Sequence, residues 1–173
     1  MNGFITLLLG TALSGSVSAD SPKIAPNKAG ALCAAPETVY FSCKTNKAQW
    51  ITLCGPSIGQ IRYRFGKPER IGLEYPASGK QERSAFLYAH YFRYRTDRTE
   101  VSFRNHGAEY AVFDHLDGNR RSAGVRVVTE SGKEKEFPCR GLIESRLGEL
   151  EGALPCDPDN ALNLGSCAGE GRR

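Results

Sequence analysis

The side chains best able to do chemistry in this chain are its six cysteines: Cys33, Cys43, Cys54, Cys139, Cys156 and Cys167. No two of them stand as Cys-x-x-Cys and no histidine lies at ligand spacing from any of them. That pattern argues against a zinc site or a thioredoxin-like redox centre. An even set fits three structural disulfides instead, for which fifteen connectivities exist. The three histidines, His90, His106 and His115, are scattered. His106 precedes Gly107 in a turn, and His90 sits among Tyr88, Phe92 and Tyr94 as a core-rim residue. His115 follows Asp114, but neighbours on a strand face opposite sides and cannot form a dyad. Asp157, Asp159 and Asn160 resemble the start of a calcium loop that lacks its glycine and closing glutamate. There is no Gly-x-Ser-x-Gly elbow, His-Glu-x-x-His pair or phosphate-binding glycine loop. The residues therefore predict a protein that is not an enzyme and has no catalytic residues, cofactor or metal.

Arginines offer a different chemistry. Arg62 and Arg64 share one strand parity, Arg93 and Arg95 share another together with Tyr91, and Arg104 and Arg126 lie in nearby runs. Alternate strand positions project together, so these guanidiniums could form a patch for carboxylates, phosphates or an acidic partner. Solvated strand faces, whose charges discourage edge pairing, are the plainer reading.

The elements that must carry these residues are strands. From residue 38 to residue 139, short β-rich runs are separated by turn chemistry every 8–12 residues or so. Val39, Phe41 and Cys43 alternate with Tyr40, Ser42 and Lys44, and Ile61, Tyr63 and Phe65 alternate with Arg62 and Arg64. Gly55-Pro56, Gly66-Lys67-Pro68, Thr96-Asp97, His106-Gly107, Asp117-Gly118-Asn119 and Ser131-Gly132 are the expected turns. No run has the 3.6-residue period of an amphipathic helix. The predicted fold is all-β, an antiparallel up-and-down meander of about 8–9 strands, closed as a small disulfide-stapled barrel or folded as a two-layer sandwich. Residues 140–150 could add a helical turn or two, with Leu142, Leu147 and Leu150 on one face.

Hairpin register narrows the disulfides. With a turn at Thr45-Asn46, Cys54 lies opposite a point near Glu37, within reach of Cys33. In a closed meander the first and last strands are neighbours, so Cys43–Cys139 fastens the seam and Cys156–Cys167 closes the tail.

The chain opens on an apolar run, Phe4-Ile5-Thr6-Leu7-Leu8-Leu9, and reaches small residues at Val17-Ser18-Ala19, an A-x-A-like cleavage site. Residues 1–19 are read as a signal peptide, 20–32 as a flexible segment, 33–150 as the β-barrel domain, and 151–173 as a disulfide-closed loop with a disordered tail. The apolar run is shorter than the roughly 20 residues a span needs, so no membrane span is expected, and Leu32-Cys33 does not read as a lipidation site. The charge of +4 at pH 7 favours anionic partners slightly, far below what a nucleic-acid binder carries. The expected location is periplasmic or secreted.

Val39-Tyr40-Phe41-Ser42-Cys43, Leu53-Cys54, Tyr63-Arg64-Phe65-Gly66, Leu73-Glu74-Tyr75-Pro76 and Leu154-Pro155-Cys156-Asp157 resemble a family of uncharacterised exported proteobacterial proteins, which implies no activity. Phe41-Ser42-Cys43, Cys139 and residues 101–109 are also similar to the membrane-bound inhibitors of C-type lysozyme, small eight-stranded barrels. That resemblance implies a barrel, with Ser78 and Gly79 standing where the inhibitors carry a Ser-Gly-x-x-Tyr loop. Arg83 and Ser84 depart from that loop, and four of the cysteines are additional. The expectation is an exported binding protein with a protein partner in the envelope or outside the cell, such as a lysozyme it inhibits. The alternative is a carrier of a small anion held at an arginine-lined barrel mouth. An enzymatic reading would rest on His90 alone.

Overall fold

Nine strands follow one another among the described residues: β1 (Thr38–Thr45), β2 (Trp50–Gly55), β3 (Arg62–Lys67), β4 (Arg70–Tyr75), β5 (Leu87–Arg93), β6 (Thr96–Asn105), β7 (Ala108–Asp117), β8 (Arg120–Thr129) and β9 (Glu134–Ser145). The structure is a computed structural model that describes residues 32–77, 86–164 and 167. All pairings between strands are antiparallel and the sheet order is β4-β3-β2-β1-β9-β8-β7-β6-β5. The first and last strands are neighbours, as a meander wrapped on itself requires. The sheet curls into a half-barrel, and β4 and β5 are its two edges rather than a hydrogen-bonded closure. Those edges are nonetheless bridged on the inside, where Tyr75 packs edge-on against Phe86 and stacks on Phe103.

The curl originates in β9. Its first half pairs with β8 as far as Gly124↔Pro138, and its second half takes up β1 from Thr45↔Cys139. Proline lacks the N–H of a ladder and belongs at edges or irregularities, so Pro138 sits at the point where the strand changes partner. Gly124 permits the approach, because a Cβ there would press into the backbone of Phe137 and Pro138. Gly141, at φ +76°, and a register shift between Cys43 and Lys44 bend the pairing further.

Three disulfides staple this arrangement in the expected pattern: Cys33–Cys54, Cys43–Cys139 and Cys156–Cys167. They suit an oxidising compartment. Cys43–Cys139 lies across the β1–β9 seam, beside the buried Phe41. No helix of the described residues is long and apolar enough to cross a membrane.

Several expectations are corrected. The turn between β5 and β6 is Tyr94-Arg95, not Thr96-Asp97, with Arg95 in the left-handed region at φ 58°. Thr45 belongs to β1, and Cys54 faces Val39 rather than Glu37. Tyr40 and Ser42 are buried as well as Phe41 and Cys43, since β1 lies in the middle of the sheet with both faces covered. Residues 140–145 continue β9 and leave Leu142 84% exposed; only a 3-10 turn at Leu147–Leu150 is helical, and it inserts Leu147 and Leu150 into the core. Leu32, at the end of the segment expected to be flexible, is buried; residues 20–31 of that segment, like residues 1–19, lie outside the described residues.

Both ends of the described chain act as straps across outer faces of the sheet. The N-terminal one, tied by Cys33–Cys54, lays Glu37 and the Leu32 carbonyl over β3. The C-terminal one is more than a tied loop. It forms a parallel bridge from Cys156 to Tyr88 on β5, and buried Asp157 accepts a 2.6 Å hydrogen bond from Ser102 of β6.

Candidate functional site

The residues singled out by sequence separate into three groups. Arg62 and Arg64 leave β3 on its outer face, where neither is a free cation. Arg62 pairs with Glu74 of β4 at 3.4 Å, and buried Arg64 bridges Glu37 at 2.6 Å and Glu74 at 2.9 Å beneath the N-terminal strap. Burial works against the Arg64 charge, but hydrogen bonds to both glutamates outweigh it and raise its affinity for the proton. Arg104 is exposed and paired with Glu109 at 2.8 Å. Arg93 and Arg95 have no carboxylate partner among the described residues; Arg93 lies over the Tyr91 ring at 5.7 Å. Arg95 and Arg104 mark opposite ends of β6, separated by roughly 30 Å of strand. The arginine array is therefore not one patch. Ser78 and Gly79 lie outside the described residues.

Arg126 leads to a cluster that sequence reasoning missed. Glu100, only 2% exposed on the outer face of β6, receives Arg126 at 2.9 Å, Asn160 of the C-terminal strap at 2.9 Å and His115 at 3.1 Å. Burial opposes its ionisation, yet the contacts from His115 and Asn160 and the charge of Arg126 win, holding the carboxyl down at about 2. Arg126 and Asn160 both donate to Glu100, which makes the carboxylate a clasp for the strap, while the buried His115 Nε2 lies close to it without a well-aligned hydrogen bond. Asp157 and Asn160, the residues that resembled a calcium loop, spend their side chains on Ser102, Asp159 and Glu100. Of the other histidines, His90 lies 2.9 Å from Asp97, and His106 occupies its turn at φ 48°.

The feature best shaped to receive a ligand is inside the curl. At the end bounded by the β8–β9 hairpin, a cavity of about 370 Å³ opens between the two halves of the sheet. That is within the range of small-molecule sites. Its walls follow from strand alternation: Tyr63 and Phe65 on β3, Leu73 paired opposite Phe65 on β4, Tyr110 on β7, Val127 on β8 and Phe137 on β9 all project inward. Phe65 meets Phe137 edge-on at 5.5 Å, while Tyr63 packs against Phe103 and Tyr110, closing the cavity floor. Burial, with Tyr110 adding a little, pushes the Tyr63 hydroxyl far above its ordinary value and keeps it a neutral donor.

Polarity enters at the rim. Lys135 occupies an inward position opposite Val127, its ammonium 4.8 Å from the Phe137 ring, and Lys133 and Thr129 stand beside it in the same hairpin. Neither lysine has a carboxylate partner among the described residues. The mouth of the curl is thus lined by lysine, and not by the arginines on which the anion-carrier alternative rests. The signal for it was present: Lys135 shares parity with Phe137 and breaks the apolar face. An apolar chamber with two unpaired ammonium groups at its opening can hold a hydrophobic body and neutralise an anionic end.

Comparison with family models, with characterised proteins and with solved structures finds no match to this chain.

Proposed function

We propose that this is an exported binding protein that carries a small amphipathic anion, with the ligand's apolar body in the cavity and its charged end between Lys133 and Lys135. The observation that carries the reading is an apolar chamber of about 370 Å³ whose unpaired polar groups are ammonium ions at its mouth. Aromatic walls contribute area-dependent burial, and the lysines set orientation and sign. Export to the periplasm or the exterior is supported by three disulfides and by the apolar N-terminal run.

The test is titration of the oxidised protein with a dansyl-labelled medium-chain fatty acid, followed by displacement with the unlabelled acid and with the corresponding alcohol. The acid should bind, and the alcohol should compete roughly tenfold less well, because the rim charges have nothing to neutralise. Lys133→Ala with Lys135→Ala should erase that preference while leaving apolar binding. Equal competition by acid and alcohol, or unchanged binding when Val127→Trp fills the chamber, would remove the proposal.

A protein partner is the second reading, and the exposed turn between β5 and β6 favours it, since Phe92 and Tyr94 are solvent-facing aromatics beside Arg93 and Arg95. Inhibition of lysozyme is its most specific form, and a stoichiometric loss of lysozyme activity on titration would establish it.

A further inference from the structure

We infer that the free end of edge strand β5 is a docking site for an extended, acidic segment of a protein partner, which adds to the sheet as a further strand. The inference stands apart from the cavity, which lies between the sheet halves at the β8–β9 end.

Strand β5 already accepts an added strand from its own chain. Along its outer edge the Tyr88 N–H donates to the Pro155 carbonyl at 2.8 Å, the Asp157 N–H returns to the Tyr88 carbonyl at 2.9 Å, and the His90 N–H is capped by the Asn163 side chain at 3.2 Å. Beyond His90 no described residue of the strap pairs with this edge. Because alternate residues of a strand direct their backbone groups to the same edge, Phe92 carries the next outward N–H and carbonyl, and no described residue meets them. A sheet edge of this kind is a template for β-augmentation.

The side chains around that opening specify the occupant. Phe92 is 72% and Tyr94 88% exposed, and Leu164 of the strap is exposed beside the same groove. Arg93 and Arg95 flank them without carboxylate partners among the described residues; Arg70, Arg120 and Arg140 are likewise unpaired but lie on other strands, whereas Arg62, Arg64, Arg98, Arg104, Arg121, Arg126 and Arg146 are all paired. Tyr91 and Arg93 project to one face of β5 and Phe92 to the other. The segment they fit alternates in the same rhythm, with acidic residues on the Arg93 face and apolar residues on the Phe92 face. A second copy of this chain fits less well, because two β5 edges would bring the same arginines together.

The experiment uses the oxidised protein with a fluorescent octapeptide alternating glutamate and valine, and a control with lysine in place of glutamate, read by anisotropy and by backbone amide NMR. The glutamate peptide should bind, the lysine peptide roughly tenfold more weakly, and the shifts should centre on the amides of Phe92 and Tyr94. Arg93→Glu with Arg95→Glu should abolish the preference for glutamate. Phe92→Pro, which removes the outward N–H, should weaken both peptides with the near-ultraviolet circular dichroism unchanged. The inference is overturned if neither peptide binds at millimolar concentration, if the perturbed amides lie elsewhere, if the double arginine variant still prefers glutamate, or if sedimentation shows a dimer that Phe92→Pro dissociates.

Discussion

Two buried charges decide how the outer faces of the sheet are covered. Glu100 has its folded carboxyl near 2, against an ordinary 4.5. A group depressed in this way adds stability that is fully present above 4.5 and disappears as the pH falls through 2. The loss is of the order of 3 kcal/mol, and chemical unfolding measured across that interval should show it. Glu100→Gln should be less stable at neutral pH and should flatten the acid limb. Arg64 is the counterpart beneath the N-terminal strap. Removing it takes away the cation of the nearly buried Glu37, while Glu74 keeps Arg62, so Arg64→Met should cost about 3–5 kcal/mol at neutral pH. The deficit should shrink when Glu37 is replaced by glutamine in the same chain; a constant deficit would mean that packing, not charge, is what Arg64 supplies.

At the level of elements, β9 matters most because it belongs to both halves of the sheet, and its single covalent tie to β1 is Cys43–Cys139. That bond spans 96 residues of sequence against 11 for Cys156–Cys167. In the chain-entropy account the two restrict the unfolded chain by about 4.7 and about 2.8 kcal/mol. Replacing both cysteines of the seam by alanine should therefore lower the thermal midpoint more than replacing both of the tail. The tail pair should instead loosen the strap, seen as faster amide exchange at Tyr88 and His90 while β7 and β8 stay protected. The reverse order of midpoints would show that the strap, and not the seam, holds the sheet closed.

For the whole molecule, the consequence of a sheet that curls without closing is an interior with room in it. Ligand that enters the cavity binds the folded state alone, so saturation at a hundred times the dissociation constant should add about 2.7 kcal/mol to stability. A thermal shift with a fatty acid, absent with Val127→Trp, would report this on the intact protein. The two exterior straps and the interior chamber make separate demands, since the straps consume buried ion pairs and the chamber leaves its ammonium groups free.

Much of this was legible in the chain. Alternation marked the faces of most strands, glycine-containing turns marked the β6–β7, β7–β8 and β8–β9 hairpins, and an even set of cysteines on a meander led to the three disulfides, because these are local or nearest-neighbour constraints. The misread turn at Tyr94-Arg95 has no glycine; Arg95 takes a positive φ that sequence gives no reason to expect. Residues 140–145 looked helical because Leu142, Leu147 and Leu150 match that spacing, and only the neighbouring β1 makes them a strand. Which arginines are free was decided by tertiary structure alone: Arg64 meets Glu37 across 27 residues of sequence, and Arg126 meets Glu100 across 26. So was the absence of a β4–β5 pairing, which leaves β5 as an edge strand. Periodicity determines what each strand turns inward and outward; which outward face is then covered, and by which charge, depends on contacts between residues far apart in the chain.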